Sequence, residues 1–118
     1  MKNNRKGKYA EFMARCYMML HGYRIVRRNY VTGRGTNAGE IDFVATKGKT
    51  LVFVEVKQRG TLNDAAYAIS NKQQNRLIGG AQSFIKNNPQ YRGFDCRFDA
   101  ILISLPFRIR HVENAWSA

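Results

Sequence analysis

The chain has 118 residues, which suits one domain with one core, and its hydrophobic fraction of 44% argues against disorder. Twenty Lys and Arg against eight Asp and Glu give a formal net charge of +12, whereas roughly 2 to 8 is enough to keep a small domain soluble. No apolar run approaches the roughly 18 residues of a membrane span, and the N-terminus lacks the apolar segment of a secretory signal, so we expect a cytoplasmic protein without a membrane partner.

The first predicted elements are a mobile basic arm over residues 1–8 and, after it, a single domain over residues 9–118. A helix is predicted over residues 9–21, because apolar side chains recur at i, i+4, i+7 and i+8. The stripe that they form, which we expect to face the core, consists of Phe12, Cys16, Met19 and Leu20. Free cysteines are commonly buried, so Cys16 and Cys96 are both predicted to be core residues.

Three strands are predicted next, over residues 23–30, 40–46 and 50–58, because these segments are rich in β-branched and aromatic residues. The segment 31–39 between the first two is interpreted as a flexible basic loop, since its Gly33-Arg34-Gly35 matches no phosphate-binding glycine motif. Lys47-Gly48-Lys49 predicts a tight reversal between the second strand and the third.

A second helix is predicted to begin at Ser70, because Ser70 and Gln73 match a capping box, and to end before Pro89. Residues 97–104 predict a strand that is covered on both faces, and residues 108–113 a short last strand. The order of helix, three strands, helix and strand predicts an α/β domain. Its long crossover makes the strand at 97–104 parallel to its partner.

The excess of positive charge predicts a polyanionic partner, since such a field attracts polyanions and speeds their capture. An anionic membrane surface is the alternative, but no helix combines a Lys/Arg-rich face with an aromatic apolar face. Nucleic acid is therefore the expected partner.

The predicted hairpin brings acidic residues together. With Gly48-Lys49 as a two-residue turn, Asp42 falls opposite Glu55 and Glu40 falls opposite Lys57, all on one face. Ile41 and Phe43 then share the other face with Val54 and Val56. Opposed carboxylates repel and destabilise a hairpin, and a bound Mg²⁺ ion resolves the conflict, because it prefers oxygen ligands.

Three further residues are candidates beside this pair. Glu11 lies at the edge of the predicted buried stripe and either reaches the sheet or points to water. Lys57 either activates a water and stabilises charge on a phosphate or forms an ion pair with Glu40, and the two uses are compatible. Gln58 either positions a water or is an ordinary polar residue at the end of a strand.

These residues resemble the PD-(D/E)xK nuclease signature, since Gly39-Glu40-Ile41-Asp42 is followed after twelve residues by Glu55-Val56-Lys57. More narrowly, the chain resembles the YraN family of predicted endonucleases, distant relatives of archaeal Holliday-junction resolvases. The similarity covers nearly the whole chain after the basic arm. Further matching segments are Glu11 with Ala14, Gly22-Tyr23, Arg28-Asn29, Val52-Phe53-Val54, Lys72-Gln73, Arg97-Phe98-Asp99 and Asn114-Ala115-Trp116.

The resemblance implies a restriction-endonuclease-like core, with a mixed central sheet flanked by helices. It implies that Asp42 and Glu55 are metal ligands and that Lys57 is the catalytic lysine. Glu11 would be the helix carboxylate that resolvase-like members share. Gln58 stands where the family usually has a small hydroxylated residue, which leaves its role open.

The leading hypothesis is a Mg²⁺- or Mn²⁺-dependent endonuclease that acts on DNA, branched or otherwise structured. Asp42 and Glu55 would hold the ion, with Glu11 and Glu40 completing its shell. A homodimer is expected if the substrate is a four-way junction, since paired cuts need paired sites. Two alternatives stay open: a nucleic-acid-binding module whose acidic cluster is catalytically silent, and a docking partner of RNA-containing assemblies.

Several basic and aromatic residues are candidate contacts to the nucleic acid. The basic ones either bind phosphates or are solvated surface cations, and they are Arg24, Arg27, Arg28, Arg34 and Lys72. The aromatic ones either stack on unpaired bases or pack in the core, and they are Tyr9, Tyr30 and Tyr67.

Overall fold

The elements follow the predicted order, with one added helix. The computed structural model describes residues 5–32 and 39–116. Within them lie α1 (Arg5–Leu20), β1 (Arg24–Thr32), β2 (Gly39–Lys47), β3 (Thr50–Gln58), α2 (Leu62–Tyr67), α3 (Asn71–Asn87), a 3₁₀ turn (Pro89–Tyr91), β4 (Asp95–Ser104) and β5 (Arg108–Trp116). The helix α1 begins four residues before its predicted start, and the short α2 was not predicted.

The five strands form one mixed sheet in the order β1-β2-β3-β4-β5. β3 and β4 are parallel, and the other neighbouring pairs are antiparallel. The crossover between β3 and β4 contains α2 and α3, so the predicted parallel pairing is confirmed. This α/β architecture is consistent with a restriction-endonuclease-like core.

The face of α1 that meets the sheet is made of small residues and one methionine. Ala10, Ala14 and Met18 are buried there against β2, β3 and β4. The predicted stripe lies on the opposite face, where Phe12 is 55% and Leu20 85% exposed, so this prediction is wrong. The physical reason is that alanine side chains allow a helix to approach a sheet closely, which directs the bulky side chains away from it.

A second core lies on the other face of the sheet, under α3. Leu77, Ala81 and Phe84 of this helix pack there against strand residues that include Phe53 and Ile41. The prediction that Ile41 shares a face with Phe43 is therefore wrong, because Phe43 packs under α1. The alternation of side chains along β2 is broken between Ile41 and Phe43. At this point the neighbouring strand β1 contains Asn29 with a φ of 51°, between the Arg28–Phe43 and Tyr30–Ile41 pairs.

Glycines allow α3 to contact β2 directly. A Cβ at Gly39 would lie 2.6 Å from the backbone nitrogen of Gly80, closer than real Cβ contacts allow. A Cβ at Gly80 would in turn lie 3.0 Å from Cγ1 of Ile41. Glycine in a helix usually costs stability, and here it makes the close approach of helix and strand possible.

The N-terminal cap of α3 agrees with the prediction, but the positions of the two cysteines do not. The Ser70 hydroxyl accepts a hydrogen bond from the backbone N–H of Gln73 at 3.2 Å, which confirms the predicted cap. Cys96 is exposed and Cys16 is partly exposed, so neither is the buried core residue that was predicted. The predicted basic loop falls largely on residues 33–38, outside the described residues. In the described part of the chain, no helix is both long and apolar enough to cross a membrane.

Candidate metal centre

The β2–β3 hairpin has the register predicted from a two-residue turn. Gly48 occupies the first central position of the turn with a φ of 59°, a conformation that favours glycine. The ladder runs from the turn to the Phe43–Val54 pair, and the numbers of its paired residues sum to 97 throughout. This confirms the register from which the proximity of Asp42 and Glu55 was predicted.

The carboxylate of Asp42 turns toward β3 just beyond the end of this ladder. Its Oδ2 accepts a hydrogen bond from the backbone N–H of Val56 at 2.7 Å. Burial and the negative charge of Glu55 raise the pKa of Asp42 to about 8, although the Val56 hydrogen bond opposes the rise. The two side chains line the same pocket, so the carboxyl group of Asp42 lies close to that of Glu55.

Glu55 is only 6% exposed, and Lys57 is its partner. The Nζ of Lys57 lies 3.2 Å from Oε2 of Glu55. Burial raises the pKa of Glu55, while the positive charge of Lys57 opposes the rise. The prediction that Lys57 pairs with Glu40 is wrong, because the β2–β3 ladder ends before Glu40 is reached.

Glu40 binds α3 instead. The Nη2 of Arg76 lies 3.0 Å from Oε1 of Glu40, whose side chain is about half exposed. The charge of Glu40 still helps to raise the pKa of Asp42 and of Glu55. Glu40 therefore lies beside the carboxylate pair and connects it to the Arg76 side chain.

Glu11 of α1 faces the sheet, which decides between its two predicted orientations. Burial raises its pKa, and the negative charge of Asp42 adds to the rise. The positive charges of Arg15 and Arg28 act in the opposite direction. Glu11 therefore lies within the electrostatic reach of Asp42 and lines the same pocket.

These carboxylates line one open pocket of about 400 Å³. Residues of α1 form one wall, residues of α3 form the other, and the ends of β2 and β3 form the floor. A smaller neighbouring pocket of about 190 Å³ is lined by Lys57, Gln58 and Arg59. The predicted residue Gln58 therefore lies beside Lys57 in this second pocket, whose lining includes neither Asp42 nor Glu55.

The pair of Asp42 and Glu55 fits a hard divalent cation. Two neighbouring carboxylates that are largely shielded from water repel each other, and a cation removes that repulsion. Among residues 5–32 and 39–116, no three Asp, Glu, His or Cys side chains lie close enough together to hold one ion. Mg²⁺ is commonly bound by one or two carboxylates with waters and substrate phosphates, so two protein ligands are sufficient. Glu11 and Glu40 line the pocket without completing a shell.

Three of the predicted phosphate contacts lie on exposed surface. The charge of Arg28 acts on Glu11, which locates it near the pocket. The guanidinium of Arg27 lies 5.3 Å from the centre of the Tyr30 ring, in a cation–π contact. Lys72 is exposed in the first turn of α3, the helix that forms one pocket wall.

The other predicted phosphate contacts are farther away or outside the described residues. Arg24 begins β1 and pairs with Thr46, next to the hairpin turn at the opposite end of the strands. Arg34 lies in the segment that is not described. Of the aromatic candidates, Tyr9 and Tyr67 are 48% and 88% exposed, whereas Tyr30 is buried. Stacking on unpaired bases is thus open only to the first two.

Known proteins resemble this chain over most of its length. The model of one protein family, described as "Uncharacterised protein family UPF0102", matches residues 10–103. The chain belongs to this family. Membership in UPF0102 confirms the family resemblance that the nuclease-like segments indicated.

Several UPF0102 relatives align with nearly the whole chain. A UPF0102 protein of Nitrobacter winogradskyi is 45% identical over 113 residues, which cover 95% of this chain and 92% of the relative. One of Rhodopseudomonas palustris (strain BisB18) is 44% identical over 114 residues, 97% of this chain and 82% of the relative. One of Paramagnetospirillum magneticum is 39% identical over 113 residues, with coverage of 95% and 87%. These names state no activity, so function has to be argued from the site.

Four polar or charged residues that line the pocket of this UPF0102 chain were not among the predicted site residues: Lys8, Asn29, Gln73 and Arg76. Gln73 and Arg76 lie on α3, 15 and 18 residues beyond the end of the hairpin at Gln58. One signal was present, because the capping box fixed where α3 begins and hence which residues form its first turns. The side of the sheet that α3 covers was not encoded in any local pattern.

A buried polar network at the far side of the sheet was also not predicted. Asp99 is fully buried and accepts two hydrogen bonds of 2.8 Å from Arg97. Nε2 of His111 lies 2.6 Å from Asp99, and the backbone N–H of Asn114 donates to it at 3.0 Å. Burial raises the pKa of Asp99, but these hydrogen bonds outweigh the burial and hold the pKa below its ordinary value. The network joins β4 to β5.

Proposed function

We propose that this chain is a metal-dependent endonuclease that hydrolyses phosphodiester bonds in DNA, with branched or otherwise structured DNA as its substrate. One observation carries the proposal: the partly buried carboxylate of Asp42 and the buried carboxylate of Glu55 line one open pocket, with Lys57 beside Glu55. The family resemblance supports the same residues in the same roles.

The charge distribution supports a polyanionic substrate. The chain carries a net charge of +12, yet four of its eight acidic residues lie on or beside this one pocket. Scattered surface acids do not produce such a concentration, and a carboxylate cluster repels a phosphate unless a cation lies between them. A divalent ion between the acidic pocket and the DNA would remove this repulsion and allow the polyanion to bind there.

Asp42 and Glu55 would hold the ion. When bound there, Mg²⁺ or Mn²⁺ supplies charge neutralisation at the scissile phosphate and lowers the pKa of a water. The backbone N–H of Val56 fixes the carboxylate of Asp42 in place, so this ligand needs no reorganisation. Glu11 lies close enough to accept a proton from a water in the pocket, and its raised pKa suits a base.

Lys57 would orient the attacking water and stabilise charge on the phosphate. Its ammonium group has three N–H donors, and Glu55 occupies one of them at 3.2 Å. The remaining donors can contact a water or a phosphate oxygen in the pocket. Gln58, the next residue, would contribute a further polar contact at the pocket edge.

The DNA backbone would lie across the exposed cations near the pocket. Arg28 lies beside Glu11, Lys72 on the first turn of α3, and Arg27 on the exposed face of β1. Arg24 lies at the other end of the strands and would contribute little to binding at the active pocket.

The test is a cleavage assay on duplex, four-way junction, flap and single-stranded DNA, in Mg²⁺ and in Mn²⁺. We expect Asp42→Asn and Glu55→Gln each to lower the cleavage rate by about 100-fold or more, since both remove transition-state charge stabilisation. DNA affinity should change little. Asp95→Asn and Glu113→Gln are the matched controls, because both alter exposed acids away from the pocket.

Two outcomes would contradict the proposal. If the purified chain binds these DNAs but cleaves none of them, a catalytically silent binding module is the better description. The presence of only two neighbouring carboxylates in the described residues is what favours that second candidate. If the chain instead copurifies with RNA-containing particles, independently of Asp42, the docking role is favoured.

A further inference from the structure

The outward side of α1 is an apolar stripe that nothing covers within the described residues. We call it the α1 outer face, and it consists of Tyr9, Phe12, Cys16, Met19 and Leu20. Phe12 and Met19 are each about half exposed, and Leu20 is 85% exposed. These residues recur at helical spacing, so they form one continuous strip along the helix.

The opposite side of α1 is already buried against the sheet through Ala10, Ala14 and Met18. A helix that is apolar on both sides is typical of a buried helix, and a contiguous exposed apolar patch is typical of an interaction site. The α1 outer face therefore behaves as half of an interface.

We propose that a second copy of this chain covers the α1 outer face, with the two α1 helices packed antiparallel about a twofold axis near Cys16. The position of the axis follows from the spacing of the stripe. Phe12 precedes Cys16 by four residues and Leu20 follows it by four. A twofold axis at Cys16 thus sets Phe12 of each copy against Leu20 of the other.

The charges along α1 favour this occupant and this orientation. The stripe from Phe12 to Leu20 contains no charged side chain, because Arg15 lies on the flank where its charge acts on Glu11. The exposed Lys8 lies beyond one end of the stripe. Parallel packing would bring the Lys8 residues of two copies together, whereas antiparallel packing separates them and aligns the helix dipoles favourably.

The aliphatic and sulfur-containing residues argue against nucleic acid as the occupant. Bases stack on aromatic rings, and phosphates bind cations, but Cys16, Met19 and Leu20 offer neither. A membrane surface would require a row of cations beside the stripe, and the described residues supply only Lys8 and Arg15, of which Arg15 acts on Glu11. A second copy of the α1 outer face matches this surface, because it is likewise apolar and uncharged.

The expected dimer is weak and strengthens with salt. From Tyr9 to Leu20 the stripe is about 17 Å long, so it buries less than the roughly 800 Å² per partner of a standard interface. Two chains of +12 repel each other, and salt screens that repulsion.

The first test is sedimentation of the full chain from about 5 to 200 μM, in about 0.1 M and about 0.5 M salt. We expect a monomer–dimer equilibrium that shifts toward dimer with concentration and with salt. Phe12→Glu should raise the dissociation constant at least tenfold. Tyr67→Glu is the matched control, because it makes the same charge change at an exposed aromatic residue away from α1. A monomer under all conditions, or equal effects of the two variants, would overturn the proposal.

The second test uses Cys16 as a reporter of orientation, in a Cys96→Ser background. Mild oxidation with diamide, which takes one hydrogen from each of two thiols, should join two chains through a Cys16–Cys16 disulfide. Phe12→Glu should abolish this product. A dimer in solution that never gives the cross-link would exclude the antiparallel arrangement. Neither test depends on nuclease activity, and Asp42→Asn should dimerise like the unaltered chain.

Discussion

Replacing Asp42 by Asn should make the metal-free protein more stable at alkaline pH. Burial and the charge of Glu55 raise the pKa of Asp42 from 3.8 to about 8. A carboxyl group with a raised pKa in the folded state contributes stability below its unfolded pKa, and this contribution is lost as the pH rises through the folded value. Between about pH 4 and pH 8 the folded chain should therefore lose stability that the variant keeps.

The size of this loss follows from the same pKa difference. Each unit of pKa difference corresponds to 1.36 kcal/mol, so a difference of about four units sets an upper limit of about 6 kcal/mol on the stability that is lost. The pocket is open to water, which relieves part of the repulsion, and we expect about 2 kcal/mol in practice. For a domain of this size, that corresponds to a difference in Tm of about 8 °C.

The assay is thermal unfolding followed by circular dichroism, in EDTA, from pH 5 to pH 9. As the pH rises, the Tm of Asp42→Asn should increase relative to that of the unaltered chain, because the amide oxygen still accepts the hydrogen bond from Val56. Asp95→Asn alters an exposed residue, so its Tm should change with pH in the same way as that of the unaltered chain. Adding Mg²⁺ at 100 times its Kd should stabilise the unaltered chain by about 2.7 kcal/mol and leave Asp42→Asn unchanged. Parallel curves for Asp42→Asn and the unaltered chain in EDTA would refute this account of the carboxylate pair.

Three further predictions concern packing, the buried network and DNA binding. Gly39→Ala should lower the free energy of unfolding by about 1–3 kcal/mol, because its Cβ would lie 2.6 Å from the α3 backbone. Gly79→Ala is the control and should be neutral or stabilising, because a Cβ there would meet open space. Urea unfolding measures the free energy of both variants. Asp99→Asn should lower the free energy of unfolding by about 3 kcal/mol, since the partly buried guanidinium of Arg97 loses its counter-charge, and a loss below about 1 kcal/mol would contradict the network. Arg28→Ala should lower the salt slope of DNA binding by about 0.9, while Arg24→Ala at the far end of the strands should not change it.

The hairpin could be predicted from sequence because every determinant is local. A two-residue turn fixes the register, and the alternation of side chains then fixes which residues meet. The same logic failed one step farther along, where Glu40 and Lys57 were expected to pair. The ladder ends at the Phe43–Val54 pair, and Glu40 pairs instead with Arg76 of α3, a long-range contact that no local pattern encodes.

The orientation of α1 could not be predicted because both of its sides are apolar. Periodicity identifies a stripe, and Phe12, Met19 and Leu20 form the more hydrophobic one. Packing against a sheet favours the small side chains of Ala10 and Ala14, since they permit a closer approach. Periodicity alone does not weigh side-chain volume, so the helix was assigned the wrong buried side.

The direct link between β2 and β3 has a mechanical consequence. Asp42 and Glu55 are carried on one hairpin whose strands are joined by the shortest possible turn, so their separation is set before any ligand arrives. Glu11 and Arg76 belong to two different helices that face each other across the pocket. Bending of the protein during substrate capture would widen or narrow the gap between those helices, while the spacing of the two hairpin carboxylates would stay constant.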